Sequence, residues 1–166
     1  MNLYVVRHAE ALPLGGIVTH DAQRRLSPRG EEDAKLMGRI LAHLDPNVEV
    51  VATSPLVRAM ETGEIIGKEI SDHPIMHVTE SLAPGFAGKA LVREILALSA
   101  GASIVVVGHQ PDMSSFVSYL IEGSMDASVA MSPGTIANII IEPARPVGHL
   151  SWLIGPEEVK VLLAGL

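Results

Sequence analysis

The sequence contains no cysteine, which excludes a disulfide framework, a Cys-ligated zinc and the cysteine half of a zinc-deaminase signature, although HAE at 8–10 has the form of its first half. Aromatic residues make up 3% of the chain against 48% hydrophobic residues in all, so a core must come from Leu, Ile, Val, Ala and Met. No apolar run approaches the ~18 residues of a membrane span. No apolar secretory segment opens the chain either, because Arg7, His8 and Glu10 already fall within its first ten residues. These features lead to the expectation of a cytoplasmic protein.

Positive charge is also scarce. Twelve Lys and Arg stand against nineteen Asp and Glu, a formal net charge of −7 that disfavours a nucleic-acid partner. The densest positive group, Arg24, Arg25 and Arg29, reads equally well as a solvated loop and helix start. Charged residues are 19% of the total, a proportion suited to a folded chain. Its 166 residues are enough for one domain, spanning 1–166, with a real core.

What is present is an alternation of short apolar runs with amphipathic stretches. NLYVV (2–6), VEVVATS (48–54), IMHVT (75–79) and SIVVVGH (103–109) read as strands rich in β-branched residues. Helical spacing predicts helices over 28–44, with Ala34, Met37, Leu41 and Leu44 on one face, and over 55–70, with Leu56, Ala59, Gly63, Ile66 and Ile70 on one stripe and Arg58 off it. Ser27 and Pro28 suit an N-cap and first turn. Further helices are expected over 87–99, 111–122 and 156–164, and two more strands over 135–142 and 149–155, joined by PARPVG as an antiparallel pair. The fold class expected is α/β: three α/β/α layers around a mostly parallel open sheet with an antiparallel edge strand. Residues 11–26 show no sustained period, and a loop of that length inside a compact domain is usually functional or mobile.

In such a sheet the ligand crevice lies outside the carboxyl ends of the strands. Arg7 and His8 end the first strand, TSPLVRAMET (53–62) leads from the second into a helix, Glu80 follows the third and His109 ends the fourth. Singly, each has a structural reading: a strand-end histidine can be a hydrogen-bonded core residue, and Arg58 a solvated one. Together, two guanidiniums and two imidazoles at one rim would repel one another unless an anion sat among them, and arginine forks match phosphate oxygens. Other phosphate devices fail. PGFAGKA (84–90) lacks the Walker loop's first glycine, at Ala83, and its Ser/Thr, at Ala90, and no GxGxxG or GxSxG occurs.

RHAE after strand one, LSPRG opening the first helix, TSPLVRAMET after strand two and VVGHQPDMS after strand four closely resemble the histidine phosphatase superfamily, also called the phosphoglycerate mutase-like fold. The short length, the lack of a large insertion between strands three and four, and the stretches TESLAPG and LSWLIGPE are most similar to its SixA-type branch, the protein phosphohistidine phosphatases. The resemblance implies that His8 is a nucleophile that becomes phosphorylated, that Arg7, Arg58 and His109 bind phosphoryl oxygens, and that Arg24 is a further anion-binding arginine. It implies no cofactor and no metal, and a phosphorylated protein or a small phosphate ester as partner. Two features stand out: Ala9 replaces the usual glycine after the histidine, and Glu80 sits at the acid-donor position of the wider family.

A neutral imidazole attacks phosphorus well, and nearby guanidiniums should depress the pKa of His8, while a protonated His109 is expected among the oxyanion donors. The tautomer of His8 needs an acceptor, expected near Ala9 or Glu10. Three other readings stay open: a small-molecule phosphomonoesterase or mutase, a phosphate- or phosphoprotein-binding module without turnover, and a metal site of His8, Glu10, His20 and His109. His20, Asp21, His43, His73, His77 and His149 receive no role.

Overall fold

NLYVVR forms the first strand, β1 (Asn2–Arg7), in a computed structural model that describes residues 1–15, 18–70, 74–99, 102–126, 129–142 and 145–165. Beside β1 lie β4 (Ser103–Gly108), parallel, with Val5 opposite Val106, and β5 (Ile136–Glu142), antiparallel, with Tyr4 opposite Asn138. β2 (Val48–Thr53) pairs parallel with β4, β3 (Ile75–Val78) parallel with β2, and β6 (Arg145–Ile154) antiparallel with β5. The order is β3-β2-β4-β1-β5-β6. The reversed strand is thus β5, one in from the edge, and β6 outside it runs in the same sense as β1.

Strands covered on both faces need apolar residues at consecutive positions, which is why they read as unbroken runs. Leu3, Val5, Ile104 and Val106 pack against α3 (Gly88–Ser99) and α4 (Asp112–Glu122), through Leu91, Ile95, Phe116 and Leu120. Tyr4, Val6, Val105 and Val107 pack on the opposite face against α1 (Pro28–Leu44), α2 (Val57–Ile70) and α5 (Pro156–Leu163), through Met37, Leu41, Ala59, Ile66 and Val159. A register shift between Val48 and Val50 puts Val48 on the second face and Val50 on the first, with Glu49 exposed between them.

Three expectations change in detail. Leu44, assigned to the buried stripe of α1, is 53% exposed, at the edge of an apolar groove with Trp152 and Leu162. Arg58, assigned off the stripe of α2, is buried, because the first turn of that helix faces the carboxyl rim of the sheet. β6 begins at Arg145, so much of PARPVG is strand, and residues 143–144 lie outside the described ones. An edge strand tolerates Pro146 where a central one would not. Residues 11–26, as far as described, hold a 3-10 helix at Asp21–Gln23 and isolated bridges Ala11–Leu26 and Gly15–Val18. Among the described residues no helix is long and apolar enough to cross a membrane.

Candidate active site

The chemistry-bearing residues meet because backbone bonds continue past the strand ends. His8 N–H donates to the Gly108 carbonyl at 3.0 Å and Ser54 N–H to the Val107 carbonyl at 3.0 Å, so β1, β4 and β2 deliver His8, His109 and Ser54 to one rim. Gly134, in a left-handed conformation with φ +79°, donates to the carbonyls of Arg7 and His8 and closes the rim from the β5 side.

Helix α1 clamps the chain that follows His8. Ser27 caps the helix by accepting from Gly30 N–H at 3.0 Å, donates its own hydroxyl to Glu10 Oε1 at 2.7 Å and its N–H to the Glu10 carbonyl at 2.9 Å. Gly30 lies so close that a methyl group there would stand 2.0 Å from the Glu10 oxygen. Glu10 is therefore engaged away from the imidazoles. The methyl group of Ala9 is fully buried in a small cluster with Leu26 and Ala34.

Within the rim the His8 and His109 rings lie 5.1 Å apart between centroids, with planes at 55°. His8 Nδ1 is 2.7 Å from the Ala9 carbonyl, and Arg58 Nε donates to His8 Nε2 at 3.1 Å. A carbonyl only accepts and a guanidinium only donates, so Nδ1 carries the proton and Nε2 presents its lone pair. Burial, followed by Arg58, Arg7 and Arg24, lowers the His8 pKa to about 4, against the Ala9 carbonyl, which pulls upward. The ring is neutral at pH 7.

His109 is buried, its Nε2 lies 2.7 Å from Ser54 Oγ and its Nδ1 has no partner among the described residues. Burial, then the neighbouring His8 and Arg58, push it down to about 3, opposed by Asp21. The expectation of a protonated His109 is thus not met in this structure, where burial and the Arg58 guanidinium keep it neutral. Arg7 donates from Nη1 to the Met131 carbonyl at 2.7 Å and keeps a buried Nε without a partner among the described residues. Arg58 donates from Nη1 and Nη2 to the carbonyl and carboxylate of Asp21. Arg24 donates to the same carboxylate and lies near enough for its charge to act on His8.

Arg7, His8, Arg58, His109 and Arg24 are thus gathered. Glu80 is not joined to them: it is exposed, in the turn after β3, and no hydrogen bond among the described residues links its carboxylate to the two histidines or three arginines. The metal alternative finds no ligand cluster: no group of three His, Asp or Glu residues suited to a metal occurs among the described residues, and Ser27 holds the Glu10 carboxylate. Sequence reasoning missed Asp21 and Ser54 as partners of the site, and Thr62, whose hydroxyl holds Ala9 N–H. Asp21 three residues before Arg24 was the available signal. Of the other unassigned residues, His77 pairs with Glu94, Arg25 with Glu61 and Arg29 with Glu157; His73 lies outside the described residues.

Known proteins share this arrangement of sequence and fold. The profile of the histidine phosphatase superfamily, branch 1, matches residues 3–83. An uncharacterized protein of Picosynechococcus is 32% identical over 152 residues, 90% of each chain. Phosphohistidine phosphatase SixA of Escherichia coli K12 is 25% identical over 166 residues, 99% of each. A solved structure of the protein histidine phosphatase SixA complexed with tungstate superposes with a TM-score of 0.85 at 24% identity, covering 96% of this chain and 99% of that one. The chain belongs to the histidine phosphatase superfamily and shares the fold of the SixA structure.

Proposed function

We propose that the chain removes phosphoryl groups through a covalent phospho-His8 intermediate, acting on phosphohistidine carried by another protein, without a metal. The observation that carries this reading is the neutral His8 ring, with Nδ1–H anchored on the Ala9 carbonyl and the Nε2 lone pair turned to Arg58. In the first step Nε2 attacks phosphorus, the bond between phosphorus and the substrate imidazole breaks, and that imidazole leaves with a proton taken from solvent water. In the second, water attacks phosphorus, the P–Nε2 bond breaks and inorganic phosphate departs.

The transition state spreads negative charge over three equatorial oxygens, so fixed donors lower the barrier. Arg7, Arg58 and His109 are suited to supply them, since among the described residues Arg58 uses three of its five N–H groups, and Arg7 Nε and His109 Nδ1 meet no partner. Loss of one such donor costs about 3 kcal/mol of barrier, or roughly two orders of magnitude in rate. An incoming dianion raises the pKa of His109, turning it toward its charged, doubly donating form.

Two points support phosphohistidine as the substrate. The chain matches the E. coli phosphohistidine phosphatase over almost its full length. An imidazole leaving group is protonated easily and needs no strong general acid, in keeping with an exposed Glu80 outside the hydrogen-bonded cluster. The test is hydrolysis of a phosphohistidine peptide and of alkyl phosphates by wild type and Glu80→Gln, with and without chelator. The expected result is turnover of the peptide unchanged by chelator and within a few fold in Glu80→Gln. Exclusive, Glu80-dependent turnover of alkyl phosphates would instead make the chain a phosphomonoesterase, and tight phosphate binding without turnover a binding module.

A further inference from the structure

The aperiodic segment 11–26 contributes a negative charge to a site otherwise made for anions. Oδ2 of Asp21 accepts from Arg58 Nη2 at 2.9 Å, and Oδ1 from Arg24 Nη1 at 3.1 Å. The Asp21 carbonyl accepts from Arg58 Nη1 at 2.7 Å. Arg24 is held from the other side, its Nε donating to the Leu12 carbonyl at 2.6 Å. One carboxylate therefore bridges two guanidiniums and stands a guanidinium's width from His8 Nε2. The Asp21 side chain is 51% exposed and that of Arg58 7%, so the carboxylate lies on the solvent side of Arg58, at the mouth. Arg24 above all, with Arg58, holds its carboxyl below the usual range, so it is charged at neutral pH, and its charge acts on His109 as well.

In an in-line displacement the leaving group points away from the nucleophile, which here means outward from His8 toward that mouth. We propose that Asp21 is a specificity-determining residue: by neutralising Arg24 and placing a carboxylate beside the leaving group, it disfavours phosphoryl compounds whose remaining part carries a second anion. A neutral or cationic remainder, such as an imidazole, meets no repulsion there. Without Asp21, Arg24 becomes a free cation able to hold a second carboxylate. This inference rests on the phosphatase reading and narrows its substrate class.

Binding measured by calorimetry in a His8→Ala background, where no phosphoenzyme can form, tests it with two ligands: phenyl phosphate, with a neutral remainder, and 3-phosphoglycerate, with an anionic one. The ratio of their dissociation constants is the readout. Adding Asp21→Asn should shift that ratio about tenfold toward 3-phosphoglycerate, as removal of a like charge a few ångströms away predicts. Asp21→Glu, which keeps the charge, should hold the ratio within about twofold of the parent's. Arg24→Ala should move it the other way. An unchanged ratio in Asp21→Asn, or no binding of either ligand, overturns the role of Asp21. Because the ratio needs no turnover, that failure is distinct from failure of the phosphatase reading, which absence of hydrolysis by the chain with His8 intact would show.

Discussion

The buried hydroxyl of Thr62 joins the two halves of the site: it accepts from Ala9 N–H at 3.1 Å and donates to the Arg58 carbonyl at 2.6 Å. One side chain thus ties the residue following His8 to the helical turn that aims Arg58 at His8 Nε2.

Thr62→Val keeps the volume and leaves Ala9 N–H buried without an acceptor. An unfolding free energy lower by about 1–3 kcal/mol is expected in urea titration. Phosphatase turnover should fall with it, and Thr62→Ser should recover most of both.

Ser54 positions His109 through a 2.7 Å contact between its Oγ and Nε2, while also accepting from Leu56 N–H at 3.3 Å. Ser54→Ala should reduce kcat by roughly fivefold to tenfold, the equivalent of one ordinary hydrogen bond. Steady-state kinetics beside His109→Gln checks this, since the double variant should lose little beyond His109→Gln alone.

Gly30 is where α1 presses on the backbone of Glu10, two residues past His8. With a methyl group 2.0 Å from a backbone oxygen, Gly30→Ala must displace either the helix or the chain carrying His8. Overpacking of this kind costs about 1–3 kcal/mol, and thermal unfolding should show a lower Tm together with impaired turnover. A wild-type Tm with full activity would contradict the packing described.

Folding lowers the pKa of His8 from 6.5 to about 4 and that of His109 from 6.5 to about 3, in both cases chiefly through burial. Below pH 6.5 the unfolded chain therefore binds protons that the folded chain refuses. The contribution of these rings is fully present above pH 6.5 and is lost progressively as pH falls toward 4 and 3. Urea midpoints should drop between pH 7 and pH 5, and more steeply in wild type than in His109→Gln.

Much of this arrangement was legible in the sequence because strand-end polar residues are conspicuous. Arg7 follows an apolar run directly and His8 and His109 stand one residue further on, and strand order in a parallel sheet brings such ends together. Arg58 was legible by its motif alone, since helical period placed it off the buried stripe. Its burial comes from the sheet rim, which periodicity along one helix cannot register. Asp21 was only half legible: its three-residue spacing from Arg24 was a signal, but it lies in the segment 11–26, which has no period to show that it meets Arg58. Glu10 looked chemical beside His8, and only the close approach of Gly30 and Ser27 shows it held by α1. The reversed strand β5 was expected toward one edge, but its place between β1 and β6 depends on pairing that residue patterns do not encode.

Attack on phosphorus by Nε2 of residue 8 is the step on which the proposed chemistry turns. Rapid quenching of the enzyme at alkaline pH during turnover of a phosphohistidine peptide, followed by mass spectrometry and phosphorus–proton correlation NMR of the labelled fragment, tests it directly. The predicted result is an acid-labile phosphoryl group on the fragment containing His8, bonded to Nε2, and none in His8→Ala. A phosphoryl group on Nδ1, on His109, or on no residue at all during demonstrable turnover would contradict it.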